Sequence, residues 1–370
     1  MRRQLLLLRG LAILAVVANH ATAWGFIAMF WWTHRYAPGS VVPDYSAMGG
    51  AAYWLLMALN QAALFSVPAF LFISGMSAAY GVGSGSLESD WRVMRARLGA
   101  LIGPYLLWSL VVFGIDATLG VVLTPVEYAL RLLEGRATDA YYFVPLLVQF
   151  YVLSPLIVRG VRARPRLLLG LAAAIQVLTS ALPYILTALD LPLETRQALQ
   201  LPAASFVQWS LYYVLGVLLG THSRRMVRSL SRYRSTLLAC SVALAFLMLV
   251  ESQVLWQWSA DWDWAHGPGR IPATLFSLAF LLYAMTWRVP TSNLARTIER
   301  GGTLSYGIYL IHPKALEIGA RAIYHLAPGL LARQVPLALL LFAMTLTGCW
   351  LVMALVARSP ARRVYHLVFG

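Results

Sequence analysis

Apolar runs of about 20 residues, separated by short polar loops, divide the chain from end to end. An α-helix needs this length to cross the hydrocarbon core of a bilayer. The pattern therefore predicts an all-α fold, a polytopic transmembrane helical bundle of about ten spans. The approximate bounds of the predicted spans are 5–32, 52–80, 98–122, 141–159, 167–189, 205–221, 235–257, 271–288, 302–325 and 335–357.

The composition supports the same class of protein. Hydrophobic residues make up 60% of the 370 residues, and charged residues make up 12%. A soluble domain would carry about 25% charged residues. No polar stretch is long enough for a separate soluble domain, so we expect one membrane domain over residues 1–370. The two cysteines lie in apolar runs without disulfide or metal spacing, and no metal site is predicted.

Arginine is distributed unevenly between the two sets of loops that such a bundle has. Twenty-one arginines lie near the chain ends and in the loops after the even-numbered spans. Six lie in the opposite loops, which hold most of the acidic residues. The positive-inside rule then places both termini in the cytoplasm and the protein in the cell's inner or plasma membrane. This loop bias explains the net charge of +15, which therefore does not indicate a nucleic-acid partner.

The first apolar run also has features of a signal peptide. Two arginines follow Met1, and an Ala-x-Ala sequence ends at Ala23. Arg9 interrupts the apolar region, however, and the run continues to Trp31. We therefore expect an uncleaved first span.

The first span carries an arginine and a histidine, Arg9 and His20, in an otherwise apolar run. Ionisable side chains inside a bilayer are unfavourable, so they are functional candidates by default. Eleven residues at 100° each bring a helix back to within about 20° of its starting direction. Arg9 and His20 therefore share one helix face, about 16 Å apart along the axis. Asn19 and Trp24, near His20, are candidate substrate contacts.

Span nine carries a second polar stripe. Ser305, Tyr309 and His312 are spaced i, i+4 and i+7, so they share one helix face. Such a stripe should face protein or a water-filled cavity rather than lipid. His312 lies about 18 Å into the membrane, a depth similar to that of His20. We expect the two histidines to line one cavity.

Three arginines, Arg92, Arg95 and Arg97, precede span three. Positive-inside loops commonly look like this. Clustered guanidinium groups also bind phosphates well through planar, bidentate donors, so a phosphate site is the second interpretation. At the end of span two, Ser74 and Gly75 are small residues that permit close packing of helices.

Taken together, these residues resemble the integral-membrane acyltransferase family 3, a ten-helix group that includes sugar and peptidoglycan O-acetyltransferases. The resemblance covers nearly the whole chain. It rests on Arg9-x10-His20, on Phe72-Ile73-Ser74-Gly75, on Arg92 to Arg97 running into Pro104-Tyr105, and on Ser305-Tyr306-x-x-Tyr309-x-x-His312.

The resemblance implies a membrane O-acyltransferase. The donor would be acyl-coenzyme A, with acetyl-coenzyme A expected, and the acceptor a hydroxyl of a glycan, lipid-linked sugar or other cell-envelope molecule. His20 would act as the general base, with Tyr309 and His312 as further catalytic residues that donate to the oxyanion. Ser305, Asn19 and Trp24 are the substrate-binding candidates. The candidates for holding the coenzyme phosphates are Arg9, Arg92, Arg95 and Arg97.

Two other functions remain open from the residues alone. A secondary transporter would use the buried histidines, Asp116 and Glu251 as a substrate or proton path. The sequence shows no inverted repeat in favour of this function. A non-catalytic receptor or scaffold is the third possibility, and it predicts that no thioester is consumed.

Overall fold

The computed structural model describes residues 2–82 and 85–370, without the side chains of residues 223–225. These residues form 17 α-helices joined by turns and loops and contain no β-strand, so the all-α prediction is confirmed. The helices are α1 Arg2–Phe30, α2 Ala51–Ala62, α3 Ser66–Gly81, α4 Leu87–Thr118, α5 Pro125–Glu134, α6 Phe143–Ala163, α7 Pro165–Ala188, α8 Leu193–Leu199, α9 Ser210–Thr221, α10 Ser223–Leu230, α11 Arg234–Ser259, α12 Trp262–His266, α13 Ile271–Ala284, α14 Asn293–Thr303, α15 Ser305–Leu326, α16 Gln334–Arg358 and α17 Tyr365–Phe369.

Seven helical segments within the described ranges are long and apolar enough to cross a membrane. They are Arg2–Phe30, Ala51–Gly81, Leu87–Thr118, Phe143–Ala163, Pro165–Ala188, Met226–Ser259 and Gln334–Arg358. The other three predicted spans correspond to α9, α13 and α15. Two of these helices are short, with 12 residues in α9 and 14 in α13, and α15 carries several charged side chains. A count of ten spans therefore stays a prediction.

Helix α1 lies at the centre of the bundle. It packs against α2, α3, α14, α15 and α16, and Leu8, Ala12, Ile13 and Val17 on its surface are fully buried. A helix that is apolar on nearly all sides is expected to be surrounded by other helices. Arg9 and His20, the two ionisable residues of the first span, are therefore held within the bundle.

Two faces of the bundle are useful for describing the site. The terminal face is the one where α1 begins and α16 ends. The start of α15 also lies on this face, because Gly307 lies beside Met353 of α16 and Ser305 accepts a hydrogen bond from Arg9 of α1. The distal face is the one where α1 ends and α16 begins, since Gly25 lies beside the carbonyl of Gln334. The segment 260–270, which contains α12, lies on the distal face, beside the last turns of α1.

Glycines allow α3 and α9 to pack backbone against backbone. A Cβ atom on Gly75 would lie 2.2 Å from the carbonyl oxygen of Tyr213, and one on Gly216 would lie 2.1 Å from that of Phe72. No side chain fits at either distance. The close packing expected at Ser74-Gly75 is present, and it fixes the part of α3 that faces α1.

Several acidic residues inside the bundle are paired with cations, and Glu251 is an example. Arg270 is fully buried and donates to Glu251 at 2.8 Å and to Gln61. Glu251 also accepts a hydrogen bond of 2.5 Å from Tyr184. These contacts join α2, α7 and α11 to the start of α13. Buried charges are tolerated in this way when each has a partner and further hydrogen bonds.

Candidate active site

A cavity of about 640 Å³ extends from the terminal face into the middle of the bundle. Its walls come from α1, α3, α4, α6, the region around the start of α15, and the chain end at α17. Arg9 and His20 both line this cavity, as their shared helix face predicts. They are separated along α1 by about 16 Å, so the cavity has a cationic end and a histidine end.

The cationic end contains two arginines, Arg9 and Arg97. Arg9 Nε donates to Ser305 Oγ at 2.6 Å, which joins the first turns of α1 to the start of α15. Arg97 Nη2 donates to the carbonyl oxygen of Ser77 at 3.1 Å. No carboxylate among the described residues lies within ion-pair distance of either guanidinium group. Two cations without acidic partners make this end suitable for an anion.

The other two arginines of the predicted phosphate cluster do not line the cavity. Arg92 is exposed and lies 3.9 Å from Glu88 on its own helix, and Arg95 is also exposed. The physical reason is the helical repeat. Arg97 follows Arg95 by two residues, or about 200° around α4, and therefore points away from it. Of the three, the structure brings only Arg97 to Arg9.

At the histidine end, His20 lies against His312, with ring centroids 5.2 Å apart. His312 is completely buried and does not line the cavity, so it forms a second layer behind His20. The expectation that both rings face one cavity is therefore corrected. The two helices meet at this depth, as expected, but α15 turns the His312 ring toward α1 rather than into open space.

The orientation of the His312 ring is set by the backbone of α15. His312 Nδ1 lies 2.7 Å from the carbonyl oxygen of Tyr309 and 3.3 Å from that of Ile308. Pro313 has no N–H group, so the Tyr309 carbonyl lacks its normal helical donor and can accept from the imidazole. Nδ1 must then carry the hydrogen, which assigns the neutral tautomer with Nε2 as the acceptor. Nε2 has no hydrogen-bond partner among the described residues.

Tyr309 lines the cavity, but its hydroxyl group is already engaged in a hydrogen bond. The hydroxyl donates to the carbonyl oxygen of Ala140 at 2.6 Å. Tyr141 makes the reciprocal contact, donating to the carbonyl oxygen of Leu310 at 2.6 Å. A hydroxyl has one hydrogen to donate, so the predicted role of Tyr309 as an oxyanion donor does not fit this arrangement. The tyrosine pair instead fixes α15 against the start of α6.

The two remaining candidates beside His20 have different surroundings. Asn19 lines the cavity and donates from Nδ2 to the carbonyl oxygen of Asn60 at 3.2 Å. Trp24 packs against Trp32, with ring centroids 5.4 Å apart, and does not line the cavity. Beyond His20 the cavity extends toward Pro268 in the distal segment. Trp24 lies one turn further along α1 and belongs to a separate apolar cluster.

Two further cavities open on the distal face, and neither was predicted from the sequence. One, of about 470 Å³, is mainly apolar and lies between the end of α1, α2 and α12. The other, of about 780 Å³, is more polar and lies between α7, residues 197–212 and residues 261–269. Pro268 lines all three cavities. The histidine end of the first cavity is therefore next to both distal cavities.

Comparison with known families and proteins identifies the class of the chain. A family model described as an acyltransferase domain, that of acyltransferase family 3, matches residues 3–354. No curated protein and no solved structure gives a significant match. The matched range includes all of the residues on which the sequence resemblance rests and covers nearly the whole chain. The chain therefore belongs to acyltransferase family 3 and is a membrane acyltransferase.

Proposed function

We propose that this acyltransferase moves an acyl group, expected to be acetyl, from acyl-coenzyme A to a hydroxyl group of a glycan or another cell-envelope acceptor. The donor enters from the terminal face, which is the cytoplasmic face in the orientation given by the arginine distribution. The acceptor comes from the distal face. The observation that supports this proposal is a single cavity with His20 at one end and, at the other, two arginines that form no ion pair with a described residue.

The shape and charge of the cavity suit an acyl-coenzyme A. Arg9 and Arg97 would hold its phosphate groups, because guanidinium groups form charge-assisted, bidentate hydrogen bonds with phosphate oxygens. The long pantetheine arm would then extend about 16 Å along α1 toward His20. The middle of the cavity is lined by Phe70, Ile73 and Phe143, among other apolar side chains, which suit an uncharged arm.

The chemistry requires a base beside the thioester. Neutral His20 takes the proton of the acceptor hydroxyl as its oxygen attacks the thioester carbonyl. A carbon–oxygen bond forms, the carbon–sulfur bond breaks, and the departing thiolate takes the proton back from the imidazolium. We assign His312 a positioning role, in which its Nε2 acceptor would take a ring N–H of His20; the support is that the two rings lie 5.2 Å apart and that Nε2 has no other partner among the described residues.

The transporter alternative loses its main support. Asp116 forms an ion pair with Lys314, and Glu251 is held by Arg270 and Tyr184. Both acids that a proton path would use are therefore engaged in contacts that hold helices together. No observation in the described part of the chain favours transport or a scaffold role over acyl transfer.

Two neighbouring arginines on α4 provide the test of the donor site. We expect Arg97→Ala to raise the Kd for acetyl-coenzyme A by about tenfold or more, because a hydrogen bond to a charged group contributes about 1.5–3 kcal/mol. Arg95→Ala removes the same charge from the exposed face of the same helix and should leave the Kd within about twofold. The measurement is titration calorimetry on the purified protein in detergent. Equal weakening by both substitutions would contradict the proposed site.

A further inference from the structure

The polar distal cavity, of about 780 Å³, contains groups that no contact within the protein explains. Gln176 on α7 lines it and is only 4% exposed, yet its Oε1 atom has no hydrogen-bond partner among the described residues. Trp264 is 6% exposed, also lines the cavity, and its Nε1 atom is likewise without a partner in the described part of the chain. Buried polar atoms of this kind are unfavourable unless a ligand or water satisfies them.

The Gln176 amide shows which kind of group is missing. Its Nε2 atom donates to Ser180 Oγ at 3.2 Å, so the donor side of the amide is used within α7. The unpartnered Oε1 atom is an acceptor and needs an O–H or N–H donor. A ligand with hydroxyl groups, which both donate and accept, therefore suits the Gln176 and Trp264 side of this cavity.

The charges of the cavity add a second requirement. Asp139 and Asp263 line it, and neither has a hydrogen-bond or ion-pair partner among the described residues. Burial, together with neighbouring Asp261 and Asp139, raises the pKa of Asp263. No lysine or arginine of the described chain lines the cavity. Arg196, on α8, is turned away and donates to Ser259 and Thr187.

These charges define what the cavity excludes. A phosphate or carboxylate would meet three acidic side chains, Asp139, Asp261 and Asp263, and no cation of the described chain, which is unfavourable in a partly desolvated site. Hydroxyl and ammonium groups are donors and would be favoured. The aromatic rings of Tyr142, Trp209 and Trp264 in the same lining offer flat apolar faces for a ring-shaped ligand.

The cavity also reaches the proposed reaction centre. Tyr142 and Pro268 line both this cavity and the one that contains His20. The other distal cavity is also adjacent, but its lining is mostly apolar, with Phe26, Phe30 and Trp31 among its residues. A hydroxyl-rich ligand therefore matches the lining of the polar cavity and not that of its neighbour.

We propose that the polar distal cavity is the acceptor site and that it selects polyhydroxylated acceptors that are neutral or carry an amine, excluding those with a carboxylate or phosphate. This assignment rests on the proposed acyl transfer and names its acceptor class. It also predicts that the free protein binds such molecules without any acyl donor present.

A series of four related sugars tests the selection by charge. Methyl glucoside, glucosamine, methyl glucuronide and glucose 6-phosphate differ mainly in one charged group. Binding to the purified wild-type protein, without acyl donor, is measured by native mass spectrometry and by quenching of tryptophan fluorescence. We expect the two anionic sugars to bind at least about tenfold more weakly than the neutral and amino sugars. Equal binding of an anionic sugar, or no binding of the neutral and amino sugars, would overturn the proposal.

Two variants locate the binding in this cavity. Gln176→Leu should weaken the binding of the neutral glycoside by about fivefold, because one hydrogen-bond acceptor is lost. The double variant Asp139→Asn with Asp263→Asn should reduce the discrimination against methyl glucuronide by about tenfold. Asp44→Asn, which changes an acid of another distal loop that lines none of the three cavities, should change neither value. Equal effects of Asp44→Asn, or none from the cavity variants, would place the sugars elsewhere.

The acyl-donor site provides the control for folding and separates the two proposals. Each variant should keep the wild-type Kd for acetyl-coenzyme A, because the donor site is on the terminal face. If the protein binds acetyl-coenzyme A and transfers the acyl group but does not discriminate between the sugars, only the acceptor assignment is wrong. If sugars bind as expected but acetyl-coenzyme A does not bind, the acyl-transfer proposal is wrong.

Discussion

At the scale of single residues, the deep end of the cavity depends on one proline. Pro313 leaves the Tyr309 carbonyl without a helical donor, and the His312 imidazole supplies the missing hydrogen bond at 2.7 Å. The imidazole is thereby held in one tautomer, with Nε2 as its acceptor atom. Pro313 thus determines which nitrogen of His312 remains as the acceptor, in a ring that lies against His20.

Replacing His312 tests this positioning role. We expect His312→Leu to lower kcat by about 10- to 100-fold, the range seen when a residue that orients a functional group is removed. The Kd for acetyl-coenzyme A should not change, because His312 does not line the cavity. Steady-state kinetics with binding measurements check this split.

A conservative variant separates positioning from packing. His312→Gln keeps an acceptor group and should recover part of the lost kcat. If glutamine is no better than leucine, or if donor binding falls together with kcat, His312 has a structural role instead.

Much of the site could be predicted at this scale, because a helix has a fixed repeat. The common face of Arg9 and His20 follows from 11 residues of helix, and both residues line the cavity. The same helical repeat places Arg97 on a different face of α4 from Arg92 and Arg95. Counting the clustered arginines does not reveal this difference. The position of His312 behind His20 depends on how α15 is rotated about its axis relative to α1. The spacing of polar residues along α15 does not determine this rotation.

At the scale of helices, the contact between α3 and α9 forms one wall behind the cavity. Gly75 and Gly216 allow the two backbones to touch, and Ser74 beside this contact lines the cavity. Small residues are the usual means of close helix approach inside membranes. The position of this cavity wall therefore depends on residues without side chains.

Gly216→Ala is expected to push α3 and α9 apart. Overpacking of a close contact destabilises a protein by about 1–3 kcal/mol, so we expect a Tm lower by several degrees, together with weaker acetyl-coenzyme A binding. Gly114→Ala is the matched control, since a Cβ atom at Gly114 would meet nothing within 4 Å. Thermal unfolding in detergent compares the two variants. An unchanged Tm for Gly216→Ala would contradict the packing described.

Each predicted span has a helical counterpart, because a long apolar run strongly favours a membrane helix. The interruptions were not predicted. The second run is divided at residues 63–65 into α2 and α3, near Pro68. Apolar composition alone cannot show this break, since both parts remain apolar and the turn is stabilised by neighbouring helices.

At the scale of the whole molecule, the proposed function needs a defined orientation in the membrane. The proposed donor site opens on the terminal face and the proposed acceptor site on the distal face. The arginine distribution predicts that the terminal face is the cytoplasmic one. The distal cavities could not be predicted, because the segment that carries Pro268 and Trp264 acquires its position only from the helices around it.

Cysteine labelling tests this orientation. In a Cys240→Ser background, which removes the exposed native thiol, we expect Glu194→Cys on the distal face to react with a membrane-impermeant maleimide in intact cells. Ser229→Cys, in the arginine-rich segment of α10, should react only after the membrane is permeabilised. The reverse labelling pattern would place the donor site outside the cell and contradict the proposal.

The central claim is that His20 performs the transfer at the deep end of a donor-binding cavity. The most direct measurement is single-turnover release of free coenzyme A from bound acetyl-coenzyme A, in the presence of acceptor, by wild-type protein and by His20→Ala. We predict that His20→Ala binds the donor with the wild-type Kd but releases coenzyme A at least about 1000-fold more slowly, as expected when a catalytic base is removed. Release at a near-normal rate by His20→Ala would contradict the account.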